Sequence, residues 1–423
     1  MNGFLKPFSL VVALAIAGCG TTGSSNVPTS GAPSQGGASS ASSFVPEWQS
    51  KHEAKRVCKV LAGGAQCHVL VVTKGVKPDC SPSGGSCGWR PIDLQTRYNL
   101  TPSLGKGSGT VVALIELGDL PNASTDLSTY RSTFGLGTAN FQKYNEEGQQ
   151  SNYPESCQDF GWCIETDLDI EMVSVSCPEC TIYLIEGGNC GGVVCGLEKA
   201  EATAVSLGAK ILSNSWGCSN FNYGENCGDS NFPNYFNTPG VVYLASSGDS
   251  GYPEIEWPAA LANVLAVGGT QLSQSGSTFS ESAWDGAGAG CATTTPKPKW
   301  QHDPDCAGKT ISDISAEAGC SPGVAEYIGS YGGWTDVCGT SVAAPLTAGI
   351  VGLVDNPSHF TGGETFWKLS AKKHKKELNQ ITSGSDGNCS DYLCKAGLSK
   401  KDGGYKKYSG PTGWGTPNGI SAY

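Results

Sequence analysis

The chain has 423 residues, of which 15% are charged and 59 are glycine, and its formal net charge at pH 7 is -11. This length allows one large domain or two ordinary ones, and the glycine-rich, charge-poor composition is typical of a loop-rich extracellular protein. The acidic balance argues against nucleic acid as a partner. The Lys-rich run at 372–376 does not change this, because it is most simply a solvated helix face.

The amino-terminal stretch predicts export from the cytoplasm. Lys6 precedes an apolar run, Leu10 to Ile16, that is too short to span a bilayer and is followed by Ala17, Gly18 and Cys19. This ending resembles a bacterial lipobox, which predicts a signal peptide over residues 1–18 and a lipidated Cys19. The alternative is an ordinary secretory signal. Both predict an extracytoplasmic protein, either anchored to a membrane by a lipid or secreted.

The cysteine content agrees with an oxidising compartment. Nineteen cysteines are too many for a reducing one, and eighteen, an even number, remain if Cys19 is lipidated. We interpret Cys177 and Cys180 as a structural bridge rather than a metal or redox motif, because no second CxxC or histidine pair completes a zinc site. The other candidate short-loop disulfides are Cys58/Cys67, Cys80/Cys87, Cys157/Cys163, Cys190/Cys195, Cys218/Cys227 and Cys389/Cys394.

After the leader, the composition divides the chain into three parts. Residues 19–43 are rich in Gly, Ser and Pro and predict a flexible tether. Residues 44–90 carry four cysteines and predict a short disulfide-stapled segment, with CHVLVVT as the second strand of a hairpin. In residues 91–423 apolar strands such as VVALIEL and TIYLIEG alternate with amphipathic helices, which predicts an α/β domain with a mostly parallel sheet covered on both faces.

Functional side chains in such a sheet gather at the carboxyl ends of the strands, and an acidic stretch, GWCIETDLDIEM, fits that placement. On a helix Glu165 and Asp169 are one turn apart on the same face, whereas Asp167 and Glu171 point elsewhere. Two stacked carboxylates repel, so a raised pKa and a shared proton are expected. The alternative is an acidic first turn that complements the helix dipole.

Two further stretches end apolar strands with small polar residues. In VVYLASSGDSGY, Asp249 lies on a tight turn between Gly248 and Gly251, where the backbone can approach a ligand closely; the alternative is a simple Asx-turn. In ILSNSWG, at 211–217, the strand end could bind an extended peptide or be only a strand end.

A serine at the start of an apolar helix is the candidate nucleophile. Ser341 follows Gly339 and Thr340, and the next residues, VAAPLTAGIVGLV, predict a helix buried on most sides. Unpaired N–H groups at a helix start would stabilise the oxyanion that forms when a serine attacks a carbonyl. The alternative is that Ser341 is an N-cap.

The base that would activate Ser341 is not an evident histidine. None of the five histidines, at 52, 68, 302, 359 and 374, lies in a Gly-rich strand-end context, and no HGT-type segment is present. The G-x-S-x-G elbow is absent too, because Ser341 is followed by Val342 and Ala343. A subtilisin-like triad with histidine is therefore poorly supported.

The motifs ETDLD, SNSWG, SSGDSG, GTSVAAP and GPTGWGTPNG stand in an order that resembles the sedolisin family of serine-carboxyl peptidases, over roughly residues 91–423. The resemblance implies a subtilisin-like fold with glutamate in place of the catalytic histidine. Matched motif by motif, it makes Ser341 the nucleophile and Glu165 its general base and later acid. Asp169 would orient Glu165 and share its proton, and Asp249 would be a protonated oxyanion-hole donor beside the Ser341 N–H.

The resemblance also has consequences for pH and metal. A carboxylate is a weak base at neutral pH and a carboxylic acid donates a hydrogen bond only below its pKa, so activity is expected to peak in acid. The family binds one calcium through two aspartates near the carboxyl terminus, where this chain has Gln380 and Ser409. Asp386 or Asp402 could substitute, but we expect no family-type calcium site and no other cofactor.

The leading hypothesis is an exported, monomeric endopeptidase acting on proteins or peptides, although residues 44–90 are too few for the family's usual long prodomain. The alternative is a non-catalytic lipoprotein of the same fold that binds peptides or cell-surface material. The intact set of Glu165, Asp169, Asp249 and Ser341 favours the enzyme.

Overall fold

A computed structural model describes residues 44–61, 65–75, 87–189, 195–219, 227, 231–357, 360–369 and 371–423. The predicted signal peptide, Cys19 and the tether over 19–43 lie outside the described residues, as do Cys80 and Cys190 of two predicted disulfides. The described helices are α1 (Glu47–Ser50), α2 (Pro91–Arg97), α3 (Ala123–Phe134), α4 (Cys163–Ser176), α5 (Cys195–Ser206), α6 (Thr340–Gly352), α7 (Gly363–Lys368) and α8 (Ala371–Glu377).

Nineteen strands are present in the described part of the chain. They are β1 (Ala54–Arg56), β2 (Ala65–Cys67), β3 (Leu70–Val72), β4 (Val111–Leu117), β5 (Asn140–Asn145), β6 (Thr181–Gly187), β7 (Ile211–Asn214), β8 (Trp216–Ser219), β9 (Val242–Ser246), β10 (Glu256–Trp257), β11 (Val264–Ser275), β12 (Thr278–Ala283), β13 (Gly290–Pro296), β14 (Gly308–Ile311), β15 (Ile314–Glu317), β16 (Val324–Ile328), β17 (Gly333–Cys338), β18 (Leu378–Asn379) and β19 (Thr416–Pro417).

The central sheet has the order β12-β11-β9-β7-β4-β6-β5, and β15 also pairs with β11. The neighbours from β11 to β5 are parallel and only β12 is antiparallel, so the predicted mostly parallel sheet is confirmed. Its middle strands are runs of buried apolar residues, as expected for strands covered on both faces. Helix α6 packs against β7, β9, β11 and β15, and α5 against β4 and β6.

Helices α4 and α6 pack against each other and are buried along their entire length. Helix α6 is rich in small residues, and a side chain at Gly349 would collide with the Ser176 hydroxyl of α4. This contact lies near the carboxyl ends of both helices, and their starts also meet, because Ser341 at the start of α6 bonds to Glu165 at the start of α4.

Strands from the described residues before position 73 pair with strands from later in the chain. Strand β2 pairs antiparallel with β8, and β3 pairs antiparallel with both β1 and β17. Only His68 and Val69 separate β2 from β3. The predicted strand in CHVLVVT is therefore present as β3, and its pairing with β17 depends on residues more than 260 positions away.

Disulfides brace the described loops. Four predicted pairs are confirmed: Cys58–Cys67, Cys157–Cys163, Cys218–Cys227 and Cys389–Cys394. Cys177 and Cys180 also form the predicted structural bridge. Cys291–Cys306 and Cys320–Cys338, which are 15 and 18 residues apart, were not predicted. No helix in the described ranges is long and apolar enough to cross a membrane.

Candidate active site

Ser341 is the second residue of α6, immediately after the turn that follows β17. Its Oγ donates a hydrogen bond to Glu165 Oε2 at 2.8 Å, and also lies 3.2 Å from the Ser215 carbonyl oxygen. Ser341 and Glu165 are both fully buried. The structure therefore joins the candidate nucleophile directly to a carboxylate.

A chain of buried acids continues from Glu165. Asp169, one turn further along α4, accepts a hydrogen bond from the Ser215 hydroxyl at 2.7 Å. The Asp169 carboxyl also interacts through a side-chain hydrogen bond with Glu116, which accepts a further bond from Trp162 Nε1 at 2.7 Å. Three acids and an indole thus extend from Ser341 into the sheet.

Burial raises the pKa values of these acids, so they stay protonated at a higher pH than ordinary carboxyl groups do. It raises the pKa of Asp169 to about 7, and it raises the pKa of Glu165 and of Glu116 well above the ordinary carboxyl value, with Asp169 adding to both shifts. One oxygen of each acid accepts no N–H or hydroxyl hydrogen bond from the described residues, which leaves these oxygens free to share protons with one another. The structure thus adds Glu116 to the pair of Glu165 and Asp169, and the sharing of a proton between Glu165 and Asp169 stays a prediction.

The remaining acids of the ETDLDIEM stretch point away from Ser341, as the helical spacing predicts. Glu171 accepts from the Tyr327 backbone N–H, and the Asp167 carboxyl finds no hydrogen-bond partner in the described residues. Sequence reasoning missed Glu116. The available signal was a single acid within the apolar strand VVALIEL.

Asp249 lies on the turn after β9, where Gly248 has a φ of 114° and Gly251 a φ of 73°. Its Oδ1 accepts bonds from the Thr340 N–H at 2.8 Å and the Thr340 hydroxyl at 2.9 Å, so the turn is fastened to the start of α6. Oδ2 has no partner in the described residues. Burial raises the pKa of Asp249, although His68 and Arg56 oppose the shift, so a protonated Oδ2 could donate into the cleft.

Gly339 forms the floor between Asp249 and Ser341. Its φ of 114° is a conformation that favours glycine, and a Cβ atom here would lie 3.0 Å from Asp249 Oδ2 and would collide with the His68 carbonyl oxygen. A side chain at this position would close the space beside the nucleophile.

The histidines do not supply a base for Ser341 in the described part of the chain. His68 lies in the cleft, but its Nδ1 is 2.6 Å from Ser246 Oγ and its Nε2 bonds to Glu256. His374 packs on Trp414, and His52 and His302 are exposed. His359 lies outside the described residues.

The region expected to hold calcium offers few carboxylates. Ser409 Oγ pairs with Thr412 Oγ1 at 2.7 Å, Asp402 bonds to Ser399, and Asp386 is buried with neither oxygen partnered in the described residues. No group of three or more His, Cys, Asp or Glu side chains able to hold a metal occurs in the described ranges. These residues do not fit a family-type calcium site, and the expectation about calcium stays a prediction.

Comparisons with known proteins agree with this geometry. The sequence profile of the subtilase family, Peptidase_S8, matches residues 161–364. The chain is 25% identical to sedolisin from Pseudomonas sp. (strain 101) over 373 residues, which cover 80% of this chain and 60% of that protein. It is 27% identical to kumamolisin from Bacillus sp. (strain MN-32) over 304 residues, which cover 65% and 53%. The chain thus spans little more than half the length of these relatives.

A solved structure supports the same relationship. Pseudomonas sedolisin, complexed with two molecules of pseudo-iodotyrostatin, matches with a TM-score of 0.66 and 25% identity, over 79% of this chain and 96% of that one. The predicted subtilisin-like α/β fold is therefore confirmed.

Proposed function

The chain belongs to the sedolisin family, and from that premise we propose that it is a serine-carboxyl endopeptidase that hydrolyses proteins or peptides at acidic pH. Ser341 is the nucleophile, Glu165 is the general base and then the general acid, and Asp169 positions Glu165. Asp249 donates to the oxyanion together with the Ser341 N–H. The 2.8 Å bond between Ser341 Oγ and Glu165 Oε2 carries this proposal.

In the first step Glu165 takes the hydroxyl proton as Ser341 attacks the substrate carbonyl. The developing negative charge lies on the carbonyl oxygen, where the start of α6 and a protonated Asp249 are aimed. Glu165 then returns its proton to the leaving amine, and the same residue activates the water that releases the acyl group.

Acidic activity follows from the protonation state of Asp249. The protonated fraction falls as pH rises through the pKa, and only this form donates a hydrogen bond. Because burial raises the pKa of Asp249, we expect the loss of activity to begin above the ordinary carboxyl pKa of about 4. Glu165, Asp169 and Glu116 exchange protons as a group. The acid side of the pH profile, where the base becomes protonated, therefore has joint apparent pKa values that belong to the group.

We further propose an exported enzyme, held to a membrane through lipidated Cys19, that acts as a monomer without a cofactor in the chemical steps. The cysteine content and the leader sequence support this location.

Replacing Ser341 with alanine tests the peptidase assignment. Wild-type protein, incubated at pH 3–5 with a denatured protein substrate, is expected to produce fragments, whereas Ser341→Ala is expected to produce none because the nucleophile is gone. Thr347→Val is a matched control, since it removes from the same helix a hydroxyl that has no partner in the described residues, at nearly constant volume. Equal cleavage by Ser341→Ala would exclude Ser341, and no cleavage by wild type would favour the binding alternative.

Glu116→Gln tests the extended acid chain. The amide keeps the shape of the side chain but cannot exchange a proton with Asp169, so we expect about a 10-fold lower kcat and a displaced pH profile, with KM little changed. A profile identical to wild type at all pH values would show that Glu116 is only a packing residue.

A further inference from the structure

The edge of strand β8 that faces the cleft is already occupied by a strand of the same chain. Strand β2 pairs antiparallel with it, so that Ala65 opposes Cys218 and Cys67 opposes Trp216. One residue later, the His68 N–H donates to the Ser215 carbonyl at 3.1 Å. Adding an extended segment to a strand edge is a common way in which proteins bind peptides. Residues 65–68 therefore lie as a bound peptide would.

The bond that follows this strand lies against the candidate catalytic groups. The Val69 N–H donates to Glu165 Oε2 at 2.8 Å, and this is the same oxygen that accepts the Ser341 hydroxyl at 2.8 Å. A single carboxylate oxygen thus contacts both the nucleophile and the nitrogen of the His68–Val69 peptide bond. This is the arrangement required to pass a proton from an attacking hydroxyl to a leaving amine.

The other end of the same peptide bond faces Asp249. The His68 carbonyl oxygen lies where a side chain on Gly339 would be, and Asp249 Oδ2 is 3.0 Å from that point. Asp249 Oδ2 is a fully buried polar atom without a partner in the described residues. The carbonyl oxygen is therefore beside the group that would stabilise it as an oxyanion.

The His68 side chain fills a pocket fitted to it. Its ring nitrogens contact Ser246 Oγ and Glu256, and a Cβ atom on Gly217 would lie only 2.8 Å from His68 Cε1. The side chain is buried with just 1% of its surface exposed. An imidazole with both nitrogens bonded is thus held on the acyl side of the bond.

We propose that His68–Val69 is a self-processing site, and that the intact chain is a latent form whose cleft is filled by residues 65–69. This proposal rests on the proposed peptidase function. Ser341 Oγ attacks the His68 carbonyl carbon, and Glu165 takes the hydroxyl proton. The C–N bond then breaks as Glu165 protonates Val69 N, which leaves a His68 ester on Ser341. One water hydrolyses that ester, so a new carboxylate forms at His68 and a new amino terminus at Val69.

The elements on either side of the bond are held differently after cleavage. Strand β3 begins one residue beyond Val69 and stays in a sheet with β17. On the other side, Cys58 pairs with Cys67, so neither of these two cysteines links the released side to the peptidase body. The fragment ending at His68 is then held to the body only by non-covalent contacts among the described residues, including the pairing of β2 with β8, the pairing of β1 with β3 and the Trp48 indole N–H donated to the Asp249 carbonyl oxygen. The cleft opens when these contacts are released.

The test uses the purified full-length chain, moved from neutral pH to pH 3–5 and followed by intact mass and amino-terminal sequencing. We expect one new chain that begins at Val69 and a fragment that ends at His68, while Ser341→Ala stays uncut. Because the bond already lies in its own cleft, the rate constant is expected to stay the same over a 100-fold dilution.

His68→Ala provides a second readout, because it removes the ring contacts in the pocket and leaves the backbone in place. We expect self-cleavage at least 10-fold slower than in wild type, and an unchanged rate in the matched control His302→Ala, whose imidazole is exposed. Thermal unfolding of each variant checks that the fold is retained. An unchanged rate in a folded His68→Ala would overturn the role of the pocket.

A parallel digestion of denatured protein distinguishes failure of self-processing from failure of the proposed peptidase function. If wild type digests the added substrate while the His68–Val69 bond stays intact, or cuts itself elsewhere, self-processing is overturned and the peptidase function stands. Cleavage at His68–Val69 in Ser341→Ala, or a rate that rises with protein concentration, would also overturn it. If neither substrate nor chain is cut, both proposals fail.

Discussion

Glu165→Gln is expected to lower the rate of peptide-bond cleavage about 10³-fold or more. Glutamine can still accept hydrogen bonds from the Ser341 hydroxyl and the Val69 N–H, which Glu165 Oε2 accepts at 2.8 Å. It cannot, however, take a proton from the hydroxyl or deliver one to the leaving amine. The variant should therefore keep its fold and lose its chemistry. Both the self-cleavage rate and the digestion of added denatured protein at pH 3–5 measure this.

Asp167→Asn is the matched control, because Asp167 lies on the same helix, is equally buried, and contacts neither Ser341 nor the Glu165 carboxylate in the described hydrogen bonds. Burial raises the pKa of Asp167 well above its usual range, so the neutral amide resembles the form already present. Its activity is expected to stay near that of wild type. Full activity in Glu165→Gln at any pH would exclude Glu165 as the base.

Asp249→Ala is expected to lower kcat about 10²–10³-fold, the effect typical of removing one oxyanion-hole donor. KM should change much less, because the interaction is strongest with the charge that develops in the transition state. Asp249→Asn should retain more activity than Asp249→Ala, since its amide oxygen can accept from Thr340 while its nitrogen donates toward the cleft.

The pH dependence of these two variants separates donation from packing. In wild type the donor is lost as pH rises through the raised pKa of Asp249, whereas the Asn side chain does not titrate. Asp249→Asn should consequently keep a larger share of its peak activity toward neutral pH than wild type keeps. Rate measurements from pH 3 to 8 test this, and a wild-type profile in both variants would remove Asp249 from the oxyanion hole.

Local patterns carried the prediction of the catalytic helices. The spacing of Glu165 and Asp169 fixes a common face once the segment is helical, and the abrupt change after Ser341 marks the start of a buried helix. The apolar runs at 111–117 and 181–187 likewise indicated buried parallel strands, and these became β4 and β6. Such features depend on residues a few positions apart, which is why the sequence alone suffices for them.

Local patterns could not predict which distant parts of the chain pair with each other. Glu116 approaches Asp169 only because β4 runs beside α4, and the pairing of β2 with β8 joins residues about 150 positions apart. The Cys320–Cys338 bridge also spans the antiparallel pair of β16 and β17 rather than a short loop. For the same reason the cleft position of His68 had no local signature. Its neighbours Ser246 and Glu256 come from other parts of the chain.

The placement of the Cys58–Cys67 bridge bears on where the enzyme works in its surroundings. Both sulfur atoms precede His68, so after the proposed cleavage the bridge stays within the leader and makes no covalent link to the body. With an acyl chain on Cys19, that leader would remain at the lipid surface, and the body starting at Val69 would be held there only by non-covalent strand pairing. One hydrolytic event would then turn a covalent attachment to the membrane into a reversible one.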